Sequence, residues 1–155
     1  MSPSPNLRVV TTGHTPSGSS IITSDTTVQP IRPFGPSGPS FAVLDSQSSV
    51  PASNNPSPPP LGSQDLPRCP PAGVLFSVAT YPPGFSAPAA HRTLSRDYGV
   101  VVDGEIVLTL DDGRETTLRR GDFLVQGGTD HRWSNRGEAD CRVAFVMVGA
   151  DEVGK

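Results

Sequence analysis

From residue 73 onward the chain is a succession of short β-branched and aromatic runs, each stopped by a turn. GVLFSVATY ends at Pro82, Pro83 and Gly84, and YGVVVDG ends at Asp103-Gly104. EIVLTL alternates, DDG turns the chain, and RETTLRRGD returns. DFLVQGG, HRWSN and CRVAFVMVGA complete the set. Runs of this kind are strands, and Asp112-Gly113 between two of them is a strong hairpin signal. No segment carries the 3.6-residue periodicity of an amphipathic helix. Strands at regular spacing with glycine turns make an antiparallel sandwich or barrel.

Three more short runs precede this block: LRVVT at 7–11, SIITS at 20–24 and FAVLD at 41–45. Residues 46–72 are a Pro/Ser-rich segment whose composition cannot bury a core. They predict an extended or partly disordered loop, with a lid over a pocket mouth as the functional alternative. The organisation expected is N-terminal strands packing on a barrel at 1–45, a Pro/Ser linker at 46–72 and the core at 73–150. Fifteen of the 18 Pro lie in residues 1–77, so the compact core is drawn mainly from the second half.

Charge narrows the class of partner. The net charge is −3 and Lys and Arg form no dense run, which argues against nucleic acid. No window approaches the roughly 18 apolar residues of a membrane span. MSPSPNLRVV lacks the layout of a secretory leader, and Cys69 and Cys141 form no metal-type pair. The expectation is a reduced, cytoplasmic protein. Arg92, Arg96, Arg132 and Arg136 flank the candidate site, leaving room for a small neutral or anionic metabolite as substrate.

Side chains on a strand alternate between faces. If 91–93 is extended, His91 and Thr93 share one face; likewise His131, Trp133 and Asn135 share another. A barrel places one such face in its lumen. His91, His131 and the carboxylate of Asp97 then converge as a two-His, one-carboxylate set with open positions, suited to Fe(II) or another divalent ion. Trp133 and Phe145 are candidate pocket wall or ordinary barrel filling. Tyr98, by alternation, faces away from Asp97. His14 sits in a Gly/Thr/Ser-rich loop and is read as solvated.

The same residues carry a family resemblance. Six residues separate Asp97 from Gly104, with Thr93 and His91 at the two preceding ligand places; Gly121, Gly127, Thr129, His131 and Asn135 trace a second motif. The pair of motifs, with a hairpin between, resembles the cupins over residues 73–148. The stretches HRT, DYGVV, RRGD and GT-x-H-x-W resemble small single-domain cupins, several of them from fungal polyketide gene clusters. The resemblance implies an all-β, cupin-type jelly-roll β-barrel and a homodimer formed by exchange of N-terminal strands.

A fully equipped cupin site has three His and one Glu. Here Thr93 replaces an imidazole and Asp97 is one methylene shorter than Glu. The resemblance therefore implies catalytic and metal roles for His91, Asp97 and His131, with Thr93, Trp133 and Phe145 against substrate. The cofactor is a divalent metal (Fe, Zn, Mn or Ni) or none. Three functions follow: a metal-dependent oxidoreductase of secondary metabolism acting on a polyketide-like or aromatic intermediate; a metal-independent lyase or isomerase using His/Asp acid–base chemistry; and a non-catalytic small-molecule-binding cupin.

Overall fold

The computed structural model describes residues 6–55 and 63–154, and every regular element in them is a strand. In chain order these are β1 (Leu7–His14), β2 (Ser20–Val28), β3 (Ser40–Gln47), β4 (Val74–Tyr81) and β5 (Ser95–Asp103). They continue as β6 (Glu105–Leu110), β7 (Glu115–Arg119), β8 (Phe123–Gly127), β9 (His131–Ser134) and β10 (Cys141–Gly149). Each run picked out by composition is a strand. β5 starts at Ser95, three residues ahead of the Tyr98 at which its apolar run opens.

Two sheets enclose the core. One has five strands in the order β3-β4-β10-β5-β8, the other three in the order β7-β6-β9. All named pairs are antiparallel. The core forms where the sheets face each other: Ala79, Tyr81, Val101, Val143 and Phe145 from the larger meet Ile106, Leu108 and Trp133 from the smaller. Gly99 lies opposite Phe145 in the register, and a side chain there would come within 3.1 Å of the Phe145 ring. Its bareness gives that ring its place. No helix among the described residues is long and apolar enough to cross a membrane.

β1 and β2 pair only with each other, as a ribbon tied by an exposed Arg8–Asp25 ion pair at 2.7 Å. The ends of the Pro/Ser-rich segment are fastened to each other: Ser49 bridges Ala72, and the Val50 amide donates to the Ala72 carbonyl at 2.9 Å. The middle of that segment, 56–62, lies outside the described residues, and the lid reading, made on 46–72, falls partly there. Cys69 and Cys141 are both free thiols, and burial pushes the Cys141 thiol up to about 12.

The chain passes from the larger sheet to the smaller at Gly104, which has φ +76°. A Cβ at that position would lie 2.7 Å from the Asp140 carbonyl oxygen and 2.9 Å from the Cys141 Cα. Gly113, in the β6–β7 hairpin, has a similar φ of +82° but nothing within 4 Å. Both Gly→Ala changes meet the left-handed penalty of about 1–2 kcal/mol. Only Gly104→Ala also forces backbone apart, which adds about 1–3 kcal/mol. Urea unfolding of the two variants is expected to show Gly104→Ala the less stable by that margin; equal losses would mean the crossing is loosely packed.

Candidate functional site

The site begins with a backbone pairing. His91 and His131 form an isolated antiparallel bridge in which each amide donates to the other's carbonyl at 3.0 Å. Directly paired residues project their side chains to the same side. The two imidazoles accordingly lie with ring centroids 4.5 Å apart at 50°. His131 is 2% exposed, whereas His91 is at the surface. The His131 Nδ1 lies 2.8 Å from the Thr129 carbonyl oxygen. A carbonyl only accepts, so Nδ1 carries the proton and Nε2 keeps its lone pair. Burial, and next the neighbouring His131, hold His91 below the usual imidazole range; Asp130 and Asp97 pull weakly the other way.

Asp97 lies on the inward face of β5, 4% exposed, and pairs in the register with Gln126 on β8. A buried carboxylate has to be met by donors. Ser95 Oγ donates to Oδ1 at 2.6 Å, while Thr93 Oγ1 and Gln126 Nε2 donate to Oδ2 at 3.4 and 3.3 Å. The same Gln126 Nε2 is 3.4 Å from His131 Nε2. One amide thus bridges the acid and the imidazole. Gln126 Oε1 is buried and has no hydrogen-bond partner among the described residues.

The structure brings His91 and His131 together and links Asp97 to His131 through Gln126. Thr93 serves Asp97 as a donor. Trp133 and Phe145 are core residues with ring centroids 6.0 Å apart, and Trp133 also meets the edge of His131 at 5.7 Å. No group of three or more His, Cys, Asp or Glu among the described residues is placed to hold a metal ion. Both Asp97 oxygens are taken by hydroxyl and amide donors. The donors as placed therefore do not fit the three-ligand metal set expected of His91, Asp97 and His131.

Gln126 is the residue that sequence reasoning passed over. Its signal was available: it is the one polar side chain in DFLVQGG beyond the turn aspartate, and it shares a face with Leu124. Tyr98 projects outward, as alternation requires. Arg92 and Arg96 lie at the surface, Arg92 facing Asp111 at 3.9 Å. Asn135 is structural: its amide donates to the Tyr81 and Ala139 carbonyls at 2.8 and 2.9 Å, and its oxygen accepts from the Gly137 amide. A hollow of about 250 Å³, lined by Arg92, Thr93, Gly128 and Asp151–Val153, opens beside the polar cluster through Thr93. A larger one of about 480 Å³, lined by Gly104, Arg119, Asn135 and Glu138 among others, contains none of the clustered polar residues.

Comparison with known proteins agrees with this architecture. The cupin domain family matches residues 77–148. Phomopsin biosynthesis cluster protein C' of Diaporthe leptostromiformis is 45% identical over 84 residues, covering 54% of this chain and 44% of that protein. The cupin-domain-containing oxidoreductase fogC of Aspergillus ruber is 37% identical over 84 residues, covering 52% and 41%. The matched stretch thus spans less than half the length of these relatives. Among solved structures, a Klebsiella pneumoniae protein with a double-stranded β-helix domain superposes with TM-score 0.54 at 19% identity, over 78% of this chain and 84% of that one. A Salmonella typhimurium protein named for ethanolamine utilization gives 0.53 at 12% identity, over 96% and 100%. These two likenesses concern the fold alone. With two facing antiparallel sheets, a polar cluster at one end of the barrel and a family match over 77–148, that stretch of the chain is similar to a cupin domain.

Proposed function

We propose that the chain is a small-molecule enzyme of secondary metabolism in which His131 moves a proton at the barrel mouth. The observation that carries this reading is the Asp97–Gln126–His131 linkage, with its Nδ1–H tautomer set by Thr129. An imidazole whose Nε2 lone pair meets only the long 3.4 Å contact from the Gln126 amide can exchange that contact for a substrate proton and act as a general base. It would take a proton from a carbon beside a carbonyl, and the buried Asp97 charge favours the imidazolium that results. Return of that proton to another carbon or oxygen of the same molecule gives an isomerisation; its delivery to a departing β-hydroxyl releases water and gives a dehydration. Both are redox-neutral and fit a polyketide-like or aromatic intermediate. Gln126 Oε1 is an acceptor waiting for a hydroxyl or N–H of the bound molecule. The naming of relatives for fungal biosynthesis clusters supports the metabolic setting.

A second reading is favoured by relatives named cupin-domain-containing oxidoreductases. Such a reaction needs a metal or another redox group, and the donors as placed do not fit a metal. The two readings separate by elemental analysis and chelation. Purified protein is to be assayed on β-hydroxyketones and hydroxyaryl ketones before and after exhaustive chelation. Turnover that survives chelation supports proton transfer; turnover lost on chelation and restored by one divalent ion supports the oxidoreductase. Thermal stabilisation by these compounds without turnover would point to a binding module.

Under the first reading His131→Ala lowers kcat by roughly 10²–10⁴-fold, the range of general acid–base catalysis. Gln126→Leu, which removes both the waiting acceptor and the amide bridge between Asp97 and His131, raises KM and lowers kcat together. His91 supplies a pH test. Its depressed value favours the neutral ring in the folded state. Its contribution to stability is therefore present above the ordinary value of about 6.5 and is lost as pH falls through the folded value. NMR titration is expected to place the His91 midpoint below that ordinary value, and His91→Gln to flatten the fall in stability on acidification. A midpoint at or above it would refute the packing of the two rings.

A further inference from the structure

The polar cluster is closed to solvent. Asp97 and Gln126 are each 4% exposed and His131 2%, and neither hollow described above is lined by any of the three. A molecule that is to meet Gln126 Oε1 therefore needs some part of the wall to yield. On one side the wall is firm. The His91 and His131 backbones are tied by reciprocal hydrogen bonds of 3.0 Å, and the two rings pack at 4.5 Å. On the barrel side Trp133 meets the edge of His131 and belongs to the core.

The remaining side is the hollow at Thr93. Thr93 lines it and also donates to Asp97 Oδ2, the oxygen that the Gln126 amide meets. One side chain thus belongs to both the hollow and the cluster. The opposite wall is the segment that follows β10. The end of β10 is fastened: the Gly149 amide donates to the Gly73 carbonyl at 2.9 Å and the Ala150 amide to the Leu94 carbonyl at 3.0 Å. A Cβ at Gly149 would run into the Pro71 carbonyl, so the strand end has no room to shift. From Asp151 to Gly154 every residue is exposed, Val153 by 62%. Val153 nonetheless has a seat. A Cβ on Gly128 would lie 3.0 Å from its Cγ2, so the bare backbone of Gly128 makes the room that the valine occupies. Gly128 directly precedes Thr129, whose carbonyl sets the His131 proton. The seat is therefore part of the link that holds the site.

We propose that substrate enters through this hollow, between Thr93 and the Asp151–Gly154 segment, and that Val153 on Gly128 sets the width of what passes. The inference rests on the reading of the Asp97–Gln126–His131 cluster as the place where substrate is bound. The energetics favour this side. An exposed valine gives up little buried area when it lifts, whereas parting His91 from His131 breaks backbone hydrogen bonds. A hinge after Ala150 leaves β10 and the barrel undisturbed, and segments with few buried contacts open first. The opening is flanked by the apolar side chains of Val153 and Leu94, the latter 59% exposed, with the polar cluster beyond Thr93. It suits a molecule with an apolar body and a polar, enolisable end, the end that then meets His131 and Gln126.

Entry is read without turnover from the rate at which diethyl pyrocarbonate acylates His131, followed by peptide mass spectrometry with His14 as internal reference. Val153→Ala is expected to speed the His131 reaction by roughly 3-fold or more and Val153→Trp to slow it by as much, with His14 unchanged. Both variants, at an exposed position, are expected to melt as the wild type does. Glu138→Trp, in the larger hollow, is the control and leaves the His131 rate in place. On methyl- and phenyl-substituted β-hydroxyketones, Val153→Ala is expected to raise the phenyl-over-methyl ratio of kcat/KM by about 10-fold and Val153→Trp to lower it. A His131 rate equal in the wild type and both Val153 variants, or one moved as much by Glu138→Trp, overturns the entry route. A fixed ratio alongside altered His131 rates overturns the part given to Val153 in selection. Ordered His131 rates with no turnover of either ketone support the route and count instead against the enzymatic reading of the site.

Discussion

The reciprocal hydrogen bonds between His91 and His131 join the two halves of the site. These residues lie forty positions apart, and no regular strand contains His91. The bridge substitutes for a strand there. It puts two imidazoles on one side of the backbone and leaves Thr93, two residues on, able to reach Asp97. Without it the segment between Pro82 and Ser95 would be held along β9 only at its Phe85–Ala87 end. Ser86 and Ala87 reinforce it, the one bridging Ser134 and the other donating to the Trp133 carbonyl at 2.9 Å.

The barrel interior is divided in kind along its length. Ile106, Val101, Val143 and Cys141 fill the part near the Gly104 crossing and are almost wholly excluded from solvent. Ser95, Asp97, Gln126 and His131 occupy the other part and are nearly as buried. The apolar part gains from burial alone. The polar part must satisfy each donor and acceptor internally, since an unpaired buried group costs about 1–3 kcal/mol. Among the buried side-chain atoms of the described residues, Gln126 Oε1 alone lacks a partner. An exception in an otherwise complete network is where a bound molecule or an ordered water has a role.

Alternation made most of this legible from the sequence. It placed Trp133 inward with His131, turned Tyr98 away from Asp97, and read the Asp112-Gly113 hairpin correctly. It failed where a second-sheet contact or a partner decides. Gln126 sits in an apolar run, and only the pairing of β5 with β8 reveals that its amide meets Asp97. The metal set was inferred from residue types, which cannot report that hydroxyl and amide donors already occupy the Asp97 oxygens. The valine runs of β5 and β10 were legible as strands, yet their excess of apolar residues over one buried face has meaning only once the sheet order is known.

The tautomer of His131 is set by a carbonyl only two residues back, at the end of the short link between β8 and β9. The acceptor is a backbone oxygen, so the contact depends on the length of that link before it depends on its side chains. Adding or removing a residue would carry the Thr129 oxygen out of reach, release the proton to either nitrogen, and turn the ring. Descendants of this chain should thus keep the count of residues 128–130, with Gly128, at φ +59°, the position least open to exchange.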